Sequence, residues 1–198
     1  MANIVTVNGI NTDGNANIDL LGDELRRRGH NVVDLNTPRI GWFRAAFRKV
    51  QKTNGRLLME AAVEHFGRDA EVHVIGHSNG AATIYRSMWP KDRFEWATVV
   101  LFNAAMRDSW AWPSEGFNRL ENVYNVHDKA LKWGSRLSWI MPAHIFGNMG
   151  RTGYAGTPPD DRITNHANPF KHSPNRHNPF ERDEDVNTWA DAVEEWVG

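Results

Sequence analysis

Short apolar runs alternate along the chain with stretches in which apolar residues recur every three or four positions, and this alternation sets the expected order of elements. Ile4 to Val7 is a β-branched run closed by Asn8-Gly9, the pattern of a buried strand ending in a turn. Ile18, Leu21 and Leu25 then share one helical face. Arg26 to Arg28 crowd its last turn, where cations favour the helix dipole, and Gly29 is placed for the C-cap. Asn31 to Leu35 predicts a second strand. Phe43, Phe47 and Val50, then Leu58, Ala62 and Phe66 before Gly67, keep helical spacing as one broken helix or two. Glu71 to Ile75 alternates and then turns apolar, a third strand that runs directly into Gly76-His77-Ser78-Asn79-Gly80 and the helix-favouring Ala81 to Tyr85. Ala97 to Phe102, the most apolar run, suits a central parallel strand covered on both faces, and Asn122 to Val126 predicts a fifth strand. From Met141 to Glu181 the pattern dissolves, because Pro142, Pro158, Pro159, Pro169, Pro174 and Pro179 cannot sit inside regular elements; only Arg162 to His166 there resembles a strand. Val186, Trp189, Val193 and Trp196 recur at helical intervals behind the acidic Asp183-Glu184-Asp185, which predicts a closing amphipathic helix.

Strands alternating with helical stretches predict βαβ units, that is, a three-layer α/β fold with a mostly parallel central sheet and helices on both faces. No repeat, low-complexity tract or flexible linker divides the 198 residues, so residues 1–198 are expected to form a single domain. The composition, 40% hydrophobic and 24% charged, is that of an ordinary globular chain, and no run approaches the roughly 20 apolar residues that span a bilayer. The opening residues lack the basic, apolar and small-residue pattern of a secretory signal, so a cytoplasmic protein is expected. Twenty-three Lys and Arg against 24 Asp and Glu leave a formal charge of −1, which offers no broad basic face for nucleic acid. With no cysteine, disulfides, zinc–thiolate sites and cysteine nucleophiles are excluded. Nine tryptophans are unusually many for this length, and each can bury about 150–250 Å² in the core or against a ligand.

The junction of third strand and helix carries the chemistry. Gly76-His77-Ser78-Asn79-Gly80 fits G-x-S-x-G, in which the serine sits on a sharp, strained turn that leaves its hydroxyl exposed. The glycines two before and two after the serine allow a close approach of strand and helix. The plain alternative is a glycine-rich turn whose serine only caps the helix. Gly9 and Gly14 do not make a nucleotide site, since both G-x-G-x-x-G and the GK[ST] ending are missing.

With this motif after its third strand, the chain resembles the α/β-hydrolase superfamily, and within it the small serine esterases and lipases that carry G-H-S-x-G. The resemblance extends over nearly the whole chain in element order. It implies a nucleophile, acid and histidine in the order Ser, Asp or Glu, His, with the acid after a later strand and the histidine in a loop near the C-terminus. The chain is short for that family, so the resemblance implies a fold reduced in size, without one or both first strands and without an elaborate lid.

On this resemblance Ser78 is the nucleophile. A serine hydroxyl is a poor nucleophile at neutral pH, so an imidazole must take its proton as it attacks. Three histidines lie in the loop from Asn165 to Phe180. His172 matches the family's histidine loop best, His177 is second and His166 third; His77, beside the nucleophile, reads as packing. Asp128 is the expected acid, directly after the strand Asn122 to Val126, with Asp108 as runner-up one strand earlier. The oxyanion is expected to meet the backbone N–H groups of Asn79, after the nucleophile, and of Ile10, where Asn8-Gly9-Ile10-Asn11 resembles the family's His-Gly-x turn with Asn in place of His. Trp110, Trp112 and Trp133 are candidates to line a substrate pocket.

The expected function is that of a serine esterase or lipase-like enzyme acting on a small-molecule or lipid-like acyl ester, through an acyl-enzyme and without metal or organic cofactor. An amidase, thioesterase or acyltransferase would use the same machinery, and a hydrolase-like binding protein would have His172 turned away from Ser78.

Overall fold

The computed structural model describes residues 1–9, 17–35, 48–89, 94–137, 147–157, 160–169 and 177–198. Within them the chain runs β1 (Asn3–Val7), α1 (Asn17–Arg27), β2 (Asn31–Leu35), α2 (Arg48–Phe66), β3 (Val72–His77), α3 (Gly80–Ser87), β4 (Trp96–Phe102), β5 (Phe117–Tyr124), α4 (Lys129–Leu137), the single turn α5 (Met149–Thr152), β6 (Ile163–Ala167) and α6 (Asp183–Val197). The six strands form one sheet in the order β2-β1-β3-β4-β5-β6, every neighbouring pair parallel. The expected α/β architecture is therefore present, with helices on both faces.

Burial explains why β4 reads as one continuous apolar run. Val99 and Leu101 pack into a core with Leu58 of α2 and Ile84 of α3, whereas Val100 and Phe102 point the other way, into a core with Ile18 of α1 and Trp189 and Val193 of α6. A strand covered on both sides has no polar face to show. The closing helix lies where its acidic first turn and apolar stripe predict, and Gly29 ends α1 with φ 92°.

Two elements differ from their sequence expectation. The spacing around Leu58, Ala62 and Phe66 belongs to a single helix that already includes Val50, while Phe43 and Phe47 lie outside the described residues. β5 starts at Phe117 rather than Asn122 and stops at Tyr124, because Asn118 and Arg119 are exposed and Glu121 is buried among polar partners, which hides the strand in a polar stretch. α4 follows Asp128 at once. Among the described residues no helix is long and apolar enough to cross a membrane.

The sheet order also determines where chemistry can sit. From β1 the chain moves to β2 on one side and later returns to β3 on the other, so the strand order reverses between β1 and β3, the kind of point at which open α/β sheets bind ligands beyond the carboxyl ends of their strands. Val7 pairs with Gly76, and His77 with Phe102, which brings the ends of β1, β3 and β4 to one level.

Candidate active site

Ser78 follows the last residue of β3 and has φ 54°, a left-handed conformation that a non-glycine residue adopts only when its surroundings impose it. Its N–H donates to the Phe102 carbonyl at 3.0 Å, and its carbonyl accepts from Ala105 at 3.0 Å. The flanking glycines have steric causes. A Cβ on Gly76 would lie 2.5 Å from the Ile84 side chain of α3, and one on Gly80 would lie 2.4 Å from the Val7 carbonyl. Gly76 thus admits the helix, as the motif predicts; Gly80 admits the neighbouring strand β1 instead.

The acid candidate Asp128 closes the turn after β5, with its N–H donating to the Asn125 carbonyl at 2.9 Å. Its carboxylate is fully buried and receives three donors: the Leu131 N–H at 2.9 Å, the Asn103 side-chain amide at 2.8 Å and Nδ1–H of His177 at 2.7 Å. The other ring nitrogen of His177, Nε2, lies 2.9 Å from Ser78 Oγ. A carboxylate only accepts, so Nδ1 carries the ring proton and Nε2 presents its lone pair to the serine hydroxyl. This is the arrangement in which an imidazole can take the hydroxyl proton while a buried carboxylate stabilises the cation that forms.

The imidazole that joins both groups is His177, the second choice on sequence. His172, the first, lies outside the described residues. His166 is elsewhere: it stands on β6, bonded to Glu121 at 2.5 Å and stacked on Trp196. Asp108 accepts from the Thr152 hydroxyl at 3.0 Å, away from these imidazoles.

Two residues that sequence reasoning missed support the arrangement. Asn103 has φ 49°, follows β4 as Ser78 follows β3, and points its amide at Asp128. A polar residue directly after the chain's most apolar run was the available signal. His77, read as packing, also makes a polar contact, its Nε2–H donating to the His177 carbonyl at 2.9 Å. Burial, and then the neighbouring His177, push the His77 imidazole down to about 3 from its usual value near 6.5.

That depression has a sign. Between pH 6.5 and about 3 the unfolded chain binds a proton at His77 that the folded chain excludes, so folding stability falls on acidification, by on the order of 1.4 kcal/mol per pH unit from this group. Urea unfolding of the wild type and of His77→Gln from pH 6.5 to 5 is expected to show the wild type losing about 2 kcal/mol more. Equal losses would contradict the buried neutral state.

Gly9 lies against the serine: a Cβ there would come within 3.0 Å of Ser78 Cβ and 3.4 Å of its Oγ. Asn79 supplies the N–H directly after the nucleophile and caps α3 with φ −70° and ψ −15°. Ile10, the second expected oxyanion donor, lies outside the described residues. The tryptophans divide. Trp112 is buried edge-on to Tyr85 and Phe117, and Trp110 packs on Tyr85 with the Arg86 guanidinium over its ring, so both contribute to the core. Trp133, on α4 one turn beyond Asp128, is 63% exposed.

Comparison with solved structures places this geometry in a known fold. A protein of the alpha/beta hydrolase superfamily from Xanthomonas campestris pv. campestris aligns with a TM-score of 0.54 at 11% identity, covering 98% of this chain and 99% of that one. The pyrethroid hydrolase PytH aligns with a TM-score of 0.51 at 14% identity over 99% and 97% of the two chains. Est1E from Butyrivibrio proteoclasticus gives 0.53 at 9% identity over 98% and 86%. No protein-family model and no curated protein matches the chain. The chain has the α/β-hydrolase fold.

Proposed function

We propose that this chain is a serine hydrolase that cleaves carboxylic esters, with Ser78 as nucleophile, His177 as base and then acid, and Asp128 as the residue that orients the imidazole. The observation that carries this reading is the unbroken path from Ser78 Oγ through the His177 ring to the buried Asp128 carboxylate, at 2.9 and 2.7 Å. The base assignment moves from His172 to His177 on that contact. The likeness in fold to a pyrethroid hydrolase supports the general reaction class.

In the first half-reaction His177 Nε2 takes the Ser78 proton as Oγ bonds to the acyl carbon. Negative charge then develops on the carbonyl oxygen, where the Asn79 N–H, with a second donor from the loop at Gly9-Ile10, meets it; losing one such donor costs on the order of 3–4 kcal/mol of barrier. The imidazolium returns its proton to the leaving alkoxide, which departs as the alcohol and leaves Ser78 acylated. Water, deprotonated by the same Nε2, attacks the acyl carbon, and the acid is released as Oγ recovers its proton. The substrate class is a small-molecule or lipid-like acyl ester, and no step calls on a metal or organic cofactor.

The test is covalent. A fluorophosphonate probe is expected to label the wild type at Ser78, found by mass spectrometry of the digest, and to leave Ser78→Ala unlabelled, while a series of p-nitrophenyl esters from acetate to palmitate defines acyl preference. A Ser78→Ala protein that hydrolyses these esters as fast as wild type would end the proposal.

A further inference from the structure

We infer that His77 is a positioning residue for the proposed base: its Nε2–H holds the His177 main chain so that the two ring nitrogens of His177 stay in line with Ser78 and Asp128. This rests on the triad reading above and adds a residue to it. Among the described residues His177 stands in a turn ahead of α6, outside every strand and helix. The segment is tied down by Trp189 Nε1–H donating to the Pro179 carbonyl at 3.1 Å, by the buried Phe180 ring against Phe102, and by His77. The tie from His77, at 2.9 Å, is made to the main chain of His177 itself.

The need for such a tie follows from the chemistry. The Nε2 contact of His177 reverses during turnover, accepting a proton from the serine and later donating one to the leaving group. A side chain whose own bond changes character cannot alone keep its ring in place, and a displacement of about 1 Å in such a site costs about 10²-fold in rate. A backbone carbonyl bonded to a fixed donor does not change through the cycle. His77 is suited to be that donor because it belongs to β3, paired with Phe102 in the centre of the sheet, and is almost wholly buried. Its ring lies 5.0 Å from the His177 ring, so a charge on it would oppose the imidazolium that forms there. Burial keeps it neutral. His77 therefore supplies a donor where a lysine or arginine would supply a repelling cation.

The experiment compares His77→Leu, which fills the volume without a donor, with His77→Gln, whose amide nitrogen reaches the place of Nε2. Each is measured for kcat and KM on a p-nitrophenyl ester and for the far-downfield proton resonance of His177 Nδ1–H bonded to Asp128. The Leu variant is expected to lose about 10²-fold in kcat with KM within about threefold, and its resonance to broaden or vanish. The Gln variant is expected to recover most of both. Combined with His177→Ala, His77→Leu should lose nothing further, since it acts through that residue. Should the Leu variant not fold, His77→Asn, whose amide stops short of the carbonyl, takes its place.

Wild-type kcat and resonance in the Leu variant, a folded Gln variant as impaired as Leu, or additive losses with His177→Ala would each overturn the inference. A failure of the triad reading is distinguishable, because Ser78→Ala and His177→Ala would then retain turnover and probe labelling. The Nδ1–H resonance still decides, in that event, whether His77 holds His177.

Discussion

His177→Ala is expected to lower kcat by about 10⁶ on any ester that the wild type turns over, to the level of Ser78→Ala. The double variant should be no worse than either single one, because nucleophile and base act as one proton-transfer unit and the loss of either disables both. His172→Ala should stay within about tenfold of wild type. The contrast is sharp because both histidines come from the same proline-rich stretch, and His177 makes the contact with Ser78 Oγ at 2.9 Å. Steady-state ester hydrolysis beside the rate of fluorophosphonate labelling checks it. A dead His172→Ala with an active His177→Ala would return the base to His172.

Asp128→Asn is expected to cost about 10⁴ in kcat with little change in KM. The carboxylate now takes N–H donors from Leu131, Asn103 and His177 at once, and it can do so because it offers only lone pairs. An amide in its place has one oxygen for these donors, and its NH₂ group must face at least one of them. If that group faces His177, the ring is driven to the other tautomer, with Nε2–H pointing at Ser78 and no lone pair to accept the hydroxyl proton. Labelling by the probe should slow in step with kcat, and far-UV circular dichroism should stay unchanged. The assignment of the acid fails if Asp128→Asn keeps wild-type kcat while Asp108→Asn does not.

Legibility in the sequence followed how much of each feature is local. The apolar runs at Ile4–Val7 and Ala97–Phe102 and the stripes through Ile18, Leu21 and Leu25 and through Val186 to Trp196 mark elements whose burial is set by their own spacing, and these elements stand where the pattern puts them. The bend at Ser78 was equally readable, because its glycines answer contacts at fixed offsets from the serine. Choosing among His166, His172 and His177 was not local. The choice depends on how irregular backbone returns across the sheet, which no periodicity encodes. The surroundings of the tryptophans were hidden for a related reason: an indole looks alike in sequence whether it faces a ligand or Tyr85, and Trp110 and Trp112 pack on Tyr85. Asn103 was hidden by its ordinary residue type, although its backbone is as unusual as that of Ser78.

The partners of the proposed triad are far apart along the chain: His177 lies 99 positions after Ser78 and 49 after Asp128. Because the chain emerges from the ribosome in order, a nascent molecule holds nucleophile and acid well before it owns a base. The sheet itself can zip from β1 to β5 during that interval. On the proposed triad, competence for acyl transfer comes only with the segment that docks Trp189 and Val193 of α6 onto the sheet. Proteolytic clipping behind β6 would remove the proposed base together with α6, whose Val186, Trp189, Ala190 and Val193 cover one face of the sheet, so turnover and the packing of that face would be lost together.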